Sequence, residues 1–288
     1  MNTVSDSEVK NDMKIKYRTS ERTTETIQKG GVTFLRYRIF EGKNIINAVS
    51  TRLGGVSTGY VGTMNMSTTR GDDPENVEKN HALFAGAAGY DPEKLVMSDQ
   101  VHDTKILRVD SKDAGGGVIQ RGIDGLMTDV ANIPLMTFYA DCVPLMFYDE
   151  KNHVIAMSHS GWKGTVAKIG KITLERMKEE YGTEPEDVYA AIGPSVCQSC
   201  YEVDETLLTS FRNAFGKKAD EWFAASVNPD HYMLDLASAC CYTLESAGMK
   251  KDHIAMPDLC TCCNPDFLFS HRATGGKRGN ISVVMQLL

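Results

Sequence analysis

The residues best placed to do chemistry lie in IPLMTFYADCVPLMFYDEKNHVIAMSHSGWKGT, residues 133–165. Two apolar runs flank the turn-forming Asp149-Glu150-Lys151-Asn152 and read as a β-hairpin. A symmetric turn there sets Tyr148 opposite His153 and Cys142 opposite His159. Directly opposed side chains on one face have Cβ atoms about 4.5–5.5 Å apart. That separation suits a thiolate and an imidazole sharing one zinc ion, with bonds of about 2.3 Å to sulfur and 2.0–2.1 Å to nitrogen. It suits a thiolate–imidazolium nucleophile equally. Pro144 cannot donate to the ladder, and a bulge there would shift the register. His102, in SDQVHDTK, also ends an apolar run. With His102, Cys142 and His159 as ligands, a metal keeps one position open, which is the arrangement of catalytic zinc sites. Asp141, next to Cys142, supplies a carboxylate to orient a ligand or move a proton.

Other segments suit an anionic ligand. STRLGGVS, residues 50–57, ends a strand in a glycine turn that carries Arg52, and a guanidinium with backbone amides suits phosphate. Lys163 adds a cation at the helix start after His159, and Arg70 stands just before the helix start at Asp73-Pro74, where capping accounts for most of the segment. Asp124, in DGLMT, reads as a turn residue. Eight cysteines are too few for a disulfide scaffold. Cys240 and Cys241 sit on a helix-spaced apolar face as small buried hydrophobes. Cys197-x-x-Cys200 and Cys260-Thr261-Cys262-Cys263 could together form a structural metal site. A zinc ribbon usually shows a second C-x-x-C, so unliganded thiols are the expectation. His81, His153, His231 and His253 are expected to face solvent, and His271, beside the late cysteines, to lie near the site.

The elements that must position these groups are strands at 32–40, 45–50, 95–101, 105–109, 133–140, 144–148, 154–158, 188–192, 253–256 and 281–285. Helices are expected from Asp73 to Gly89, over 164–181, near 204–215 and over 233–247. The consecutive strands within 133–158 have no helices between them, which excludes a doubly wound parallel sheet. The expectation is an α+β protein, a single layered domain over residues 31–288 with mixed sheets and flanking helices, after a loose polar leader at 1–30.

Composition narrows the class further. With 42% hydrophobic and 24% charged residues among 288, the chain is globular rather than disordered. A net charge of −7 argues against nucleic acid as a partner. No apolar run approaches the roughly 18 residues of a membrane span, and the first residues lack a signal peptide's apolar core. A cytoplasmic monomer is expected.

The chain resembles the YfiH-type, laccase-domain proteins, known as polyphenol oxidases and as purine nucleoside phosphorylases. The resemblance runs from about Thr51 onward through STRLGGVS, MNMS with GDDPENVEKN, SDQVH, DGLMT, ADCVPL, SHSGWKGT, AIGPSVCQSCYEV and CTCCNPDFLFSHR. It implies a zinc held by His102, Cys142 and His159, and a layered fold shared with bacterial toxins that deamidate glutamine with a Cys–His pair. It also implies phosphorolysis of adenosine, inosine and methylthioadenosine and deamination of adenosine, with a purine nucleoside and phosphate as ligands. Copper-dependent phenol oxidation, a Cys–His amidohydrolase and a non-catalytic metal-binding module are the alternatives. The sequence departs from the family at Asp103, Ala273 and Asn280, where glycine, arginine and arginine are usual. Loss of those arginines implies weaker binding of phosphate or ribose.

Overall fold

The computed structural model describes residues 13–115 and 118–288. Its core is two mixed sheets packed face to face. The seven-stranded sheet runs, edge to edge, through Thr24–Lys29, Val32–Tyr37, Ile45–Ser50, Ile281–Leu287, Leu135–Tyr139, Val96–Asp99 and Val118–Arg121. The six-stranded sheet runs through Ile254–Ala255, Val188–Ile192, Val143–Asp149, Val154–Ser160, Gly125–Thr128 and Ile106–Arg108. Each combines antiparallel and parallel pairs, which is the α+β architecture expected.

Strand alternation explains the layering. Along Val143–Asp149, Leu145 and Phe147 face helices, while Met146 and Tyr148 face the other sheet. Both faces are covered, so the strand is apolar at nearly every position. Between the sheets, Met146, Ile155 and Met157 meet Leu135, Val283 and Met285. On the outer side of the six-stranded sheet, Phe147 and Ala156 pack on helices Ile169–Tyr181, Glu205–Phe215 and Leu236–Ser246. On the outer side of the seven-stranded sheet, Phe34, Met136 and Val284 pack on the Pro74–Ala88 helix through Phe84 and Ala85. The layers are therefore helix, sheet, sheet, helix. A third sheet of three short strands, Glu202–Asp204, His231–Leu234 and Phe223–Ala225, lies outside this stack in the chain's topology.

Helix boundaries follow local chemistry. Asp73 caps the Pro74–Ala88 helix by accepting from the Glu75 N–H, and Gly89, at φ 92, stops it. The helix expected over 164–181 is two, Trp162–Val166 and Ile169–Tyr181, because Lys168 adopts φ 61 between them. The expected 233–247 helix starts only at Leu236, since His231–Leu234 is a strand.

The loose leader expected over residues 1–30 is shorter. Residues 1–12 lie outside the described residues. Beyond them, Tyr17 bridges to Leu259, and Thr24–Lys29 forms the edge strand of the larger sheet. Polar composition hid that strand. Its threonines are buried by tertiary bonds, with Thr24 Oγ1 donating to Asp258 at 3.0 Å. Among the described residues, no helix is long and apolar enough to cross a membrane.

Candidate metal centre and ligand cavity

The hairpin forms, but its register differs from expectation. Asp149 pairs with Val154, so the turn is Glu150-Lys151-Asn152-His153, and Pro144, not Cys142, stands opposite His159. His153 takes φ 53, which lets it end the turn. The slip is two residues. Because side chains alternate with period two, Cys142 and His159 keep the same face, whereas a slip of one would have separated them. Cys142 lies just beyond the strand, after Asp141 at φ 90.

His102, Cys142 and His159 come together at the edge of the inter-sheet core, with one donor atom of each within 4.8 Å of the others. Cys142 Sγ is 3.8 Å from His102 Nε2, and the two imidazoles meet edge to face at 4.7 Å. A zinc ion at ordinary bond lengths holds such donors about 3.3–3.8 Å apart, so small movements close this set around a metal.

Asp124 builds the site. Its buried carboxylate accepts from the backbone N–H groups of Val101, His102 and Asp103 at 2.9–3.0 Å. This cradle holds His102 at φ 64, a conformation that costs a non-glycine residue energy. The same carboxylate meets His159 Nδ1 at 2.8 Å, which leaves Nε2 of that ring to face Cys142. A carboxylate behind a histidine is the usual second partner of a metal ligand. Burial works against ionised Asp124, but the bonds from His159, Asp103 and Val101 prevail and hold it below the usual carboxylate range.

Charge is balanced locally. Burial acts to raise the Cys142 thiol, yet the His159 charge and hydrogen bonds from both histidines bring it down to about 6. Burial acts to lower His159, but Cys142 and Asp124 raise it to about 9. Without a metal these shifts favour a thiolate–imidazolium pair, and a cation bound between the two groups would take the place of the His159 proton.

The pair opens onto a cavity of about 510 Å³, a size suited to a nucleoside-scale ligand. One wall carries His81 stacked on Phe138, with ring centroids 6.4 Å apart and planes 25° apart. Arg70, Arg121 and Arg278 supply cationic groups. Arg278 is buried, and its Nη1 donates to Asn280 Oδ1 and to the Gly279 carbonyl, while its Nε has no partner. Burial, then the Arg70 charge, lower its guanidinium to about 10.

Several expected site residues have other duties. Arg52 does not line the cavity. Its Nε donates to the Gly62 carbonyl at 2.8 Å, its Nη1 to the Pro265 carbonyl at 2.6 Å, and its guanidinium sits over Phe269. Lys163 lies over Trp162, also away from the cavity. Asp141 does not face the cavity either: its carboxylate accepts from Thr261 Oγ1 and the Arg272 N–H, both at 2.6 Å. Asp124, read from sequence as a turn residue, orients the histidine as Asp141 was expected to. His271 is exposed and contributes nothing to the cavity, whereas His81, expected in solvent, lines it. Asn280, where the family has arginine, holds Arg278 from two residues earlier, so a guanidinium still reaches the cavity. Asp103 turns its carboxylate to the Thr104 N–H at 2.8 Å.

Fold and site together define a layered α+β domain with a His–Cys–His group beside a cavity on the helix-covered side of the larger sheet. The family model described as multi-copper polyphenol oxidoreductase laccase matches residues 46–287. The chain belongs to this laccase-domain, or YfiH, family. It is 34% identical over 244 residues to purine nucleoside phosphorylase YlmD of Bacillus subtilis, covering 83% of this chain and 87% of that one. It is 30% identical over 241 residues to adenosine deaminase RL5 of an unknown prokaryotic organism, covering 81% and 91%. The crystal structure of YfiH from Bacillus licheniformis superposes with a TM-score of 0.86 at 28% identity, over 91% of this chain and 99% of that one.

Proposed function

We propose that the protein is a zinc-dependent purine nucleoside enzyme, acting by phosphorolysis on adenosine, inosine and methylthioadenosine and by deamination on adenosine. The observation that carries the reading is the opening of His102, Cys142 and His159 onto the same cavity as Arg70, Arg121 and Arg278. A metal-binding group and an anion-binding group face one nucleoside-sized space. The names of the relatives, a phosphorylase and a deaminase, agree with it.

His102, Cys142 and His159 would hold the ion, and Asp124 would fix the ring of His159. Zinc when bound supplies Lewis acidity, which makes water acidic or stabilises a departing base. Phe138 and His81 offer a flat wall against which a purine stacks. Arg70 and Arg278 hold phosphate, their mutual repulsion relieved by the anion. The buried position of Arg278 strengthens that contact by excluding water.

A copper-dependent phenol oxidase fits less well. Copper outranks zinc in affinity for such donors. Multicopper oxidation, however, needs several histidine-rich sites, and among the described residues only one metal-sized group contains histidine.

The test is Cys142→Ala, assayed on adenosine with and without phosphate, with products identified. Wild type is expected to yield adenine and ribose 1-phosphate only with phosphate, and inosine without it. The variant is expected to lose the ion of this site and both activities. Full turnover by a folded variant with no metal at His102 and His159 eliminates the reading, and wild type with this site loaded but inert on every nucleoside indicates a binding module instead.

A further inference from the structure

Away from the cavity, four thiols converge. The Sγ atoms of Cys197, Cys200, Cys260 and Cys263 all lie within 4.8 Å of one another. Cys263 Sγ is 3.5 Å from Cys200 Sγ and 3.8 Å from Cys197 Sγ. A disulfide needs about 2.05 Å, and all four are free. Four sulfurs at about 2.3 Å from one tetrahedral zinc stand about 3.8 Å apart along each edge. The observed spacing is that of ligands around a single ion.

The chain presents them as two facing knuckles. Cys197 and Cys200 bracket a tight turn in which the Cys200 N–H donates to the Cys197 carbonyl at 3.0 Å. Cys260 and Cys263 also form C-x-x-C, masked in the sequence by the intervening Cys262. The second C-x-x-C of a zinc knuckle pair is therefore present, against the expectation of unliganded thiols. The knuckles meet through a parallel bridge between Ser195 and Cys260. Cys260 Sγ, fully buried, accepts the backbone N–H groups of Cys197 and Cys263 at 3.2 and 3.4 Å. Amides aimed at a buried sulfur stabilise a thiolate. Soft sulfur donors in tetrahedral array select zinc or iron. An iron–sulfur cluster divides its four thiolates over two or four irons and so spreads them apart, whereas here all four crowd one point.

We propose that Cys197, Cys200, Cys260 and Cys263 bind a second, structural zinc ion, distinct from the ion at His102, Cys142 and His159. With four protein ligands the site is closed and does no chemistry. It clamps the two loops that fix Cys142. From one knuckle loop the Val196 N–H donates to the Asp141 carbonyl at 3.1 Å, and from the other Thr261 Oγ1 donates to the Asp141 carboxylate at 2.6 Å. Asp141 holds φ 90 immediately before Cys142, so loosening either knuckle frees the backbone that presents the ligand.

The test is metal analysis of the full chain purified without chelator or nickel. Two zinc ions per chain are expected in wild type, one in Cys200→Ser and one in His102→Ala. Should Cys200→Ser not fold, His102→Ala exchanged with cobalt gives an independent reading. It is expected to show the strong near-ultraviolet thiolate charge-transfer and visible bands of a tetrathiolate cobalt centre. A wild-type count of one that Cys200→Ser leaves unchanged overturns the proposal. So does iron in place of zinc, or cobalt-treated His102→Ala without tetrathiolate bands.

Discussion

His159 Nδ1 lies 2.8 Å from Asp124 Oδ1, and both groups are buried. That carboxylate also gathers three backbone N–H groups around His102, so one residue orients two candidate ligands. Asp124→Asn keeps the shape but turns an N–H of the amide toward other donors. Outer partners of metal ligands are typically worth about 10–100-fold in affinity. Zinc affinity of the variant, measured by chelator competition, is expected to fall within that range, and an unchanged affinity contradicts the orienting role.

Arg52 and Arg70 separate structure from ligand binding. Arg52 spends its donors on the Gly62 and Pro265 carbonyls, whereas Arg70 lines the cavity. Arg52→Ala is expected to cost about 1.5–3 kcal/mol of stability, the worth of hydrogen bonds to a charged group, with the phosphate KM unchanged. Arg70→Ala is expected to raise the phosphate KM about tenfold, the low end for one charge-assisted hydrogen bond, with little loss of stability. Urea unfolding and steady-state kinetics on both variants decide it. The opposite pattern restores Arg52 as the anion site.

What could be read from the sequence was mostly local. The apolar runs located the hairpin, and period-two alternation put Cys142 and His159 on one face even though the turn was placed one residue early. The Asp73 cap and the Gly89 stop were legible because a helix end is decided by its own neighbours. Asp124 was not, because its four partners come from residues 101–103 and 159, and sequence shows only its glycine neighbour. Arg52 looked like an anion ligand for the same reason: the carbonyls that occupy it lie near residues 62 and 265. Thr24–Lys29 read as leader because an edge strand held by polar side chains shows no apolar pattern.

His81 sets a pH dependence of stability. Burial, against the pull of the Met66 carbonyl, lowers its imidazole below the usual value. The folded state thus keeps His81 neutral while the unfolded chain protonates near about pH 6.5. Below that pH the unfolded state binds more protons, so the histidine's contribution is lost as pH falls. His81→Gln retains an N–H for the Met66 carbonyl but does not titrate. In urea unfolding with chelator present, the stability difference between wild type and variant is expected to shift toward the variant between pH 7 and 5. A constant difference across that window refutes the assignment.

Gly161 tests whether the donor group can tolerate crowding. It follows Ser160 with φ −70 and ψ 176, so alanine meets no backbone objection there. A Cβ at this position would stand 2.9 Å from His102 Cδ2, closer than packed atoms approach, and a tight 3.2 Å from Cys142 Sγ. The His102 ring is backed by His159, and the Cys142 backbone is fixed through Asp141, so neither yields freely. Overpacking of this kind costs about 1–3 kcal/mol. Taken from the donor geometry, about 1.4 kcal/mol is a tenfold weaker zinc affinity. Gly86→Ala, in the Pro74–Ala88 helix with nothing within 4 Å of the new Cβ, serves as the control and is expected to leave affinity unchanged. Equal zinc affinity in Gly161→Ala and wild type means that the donors sit farther from Gly161 when they bind metal.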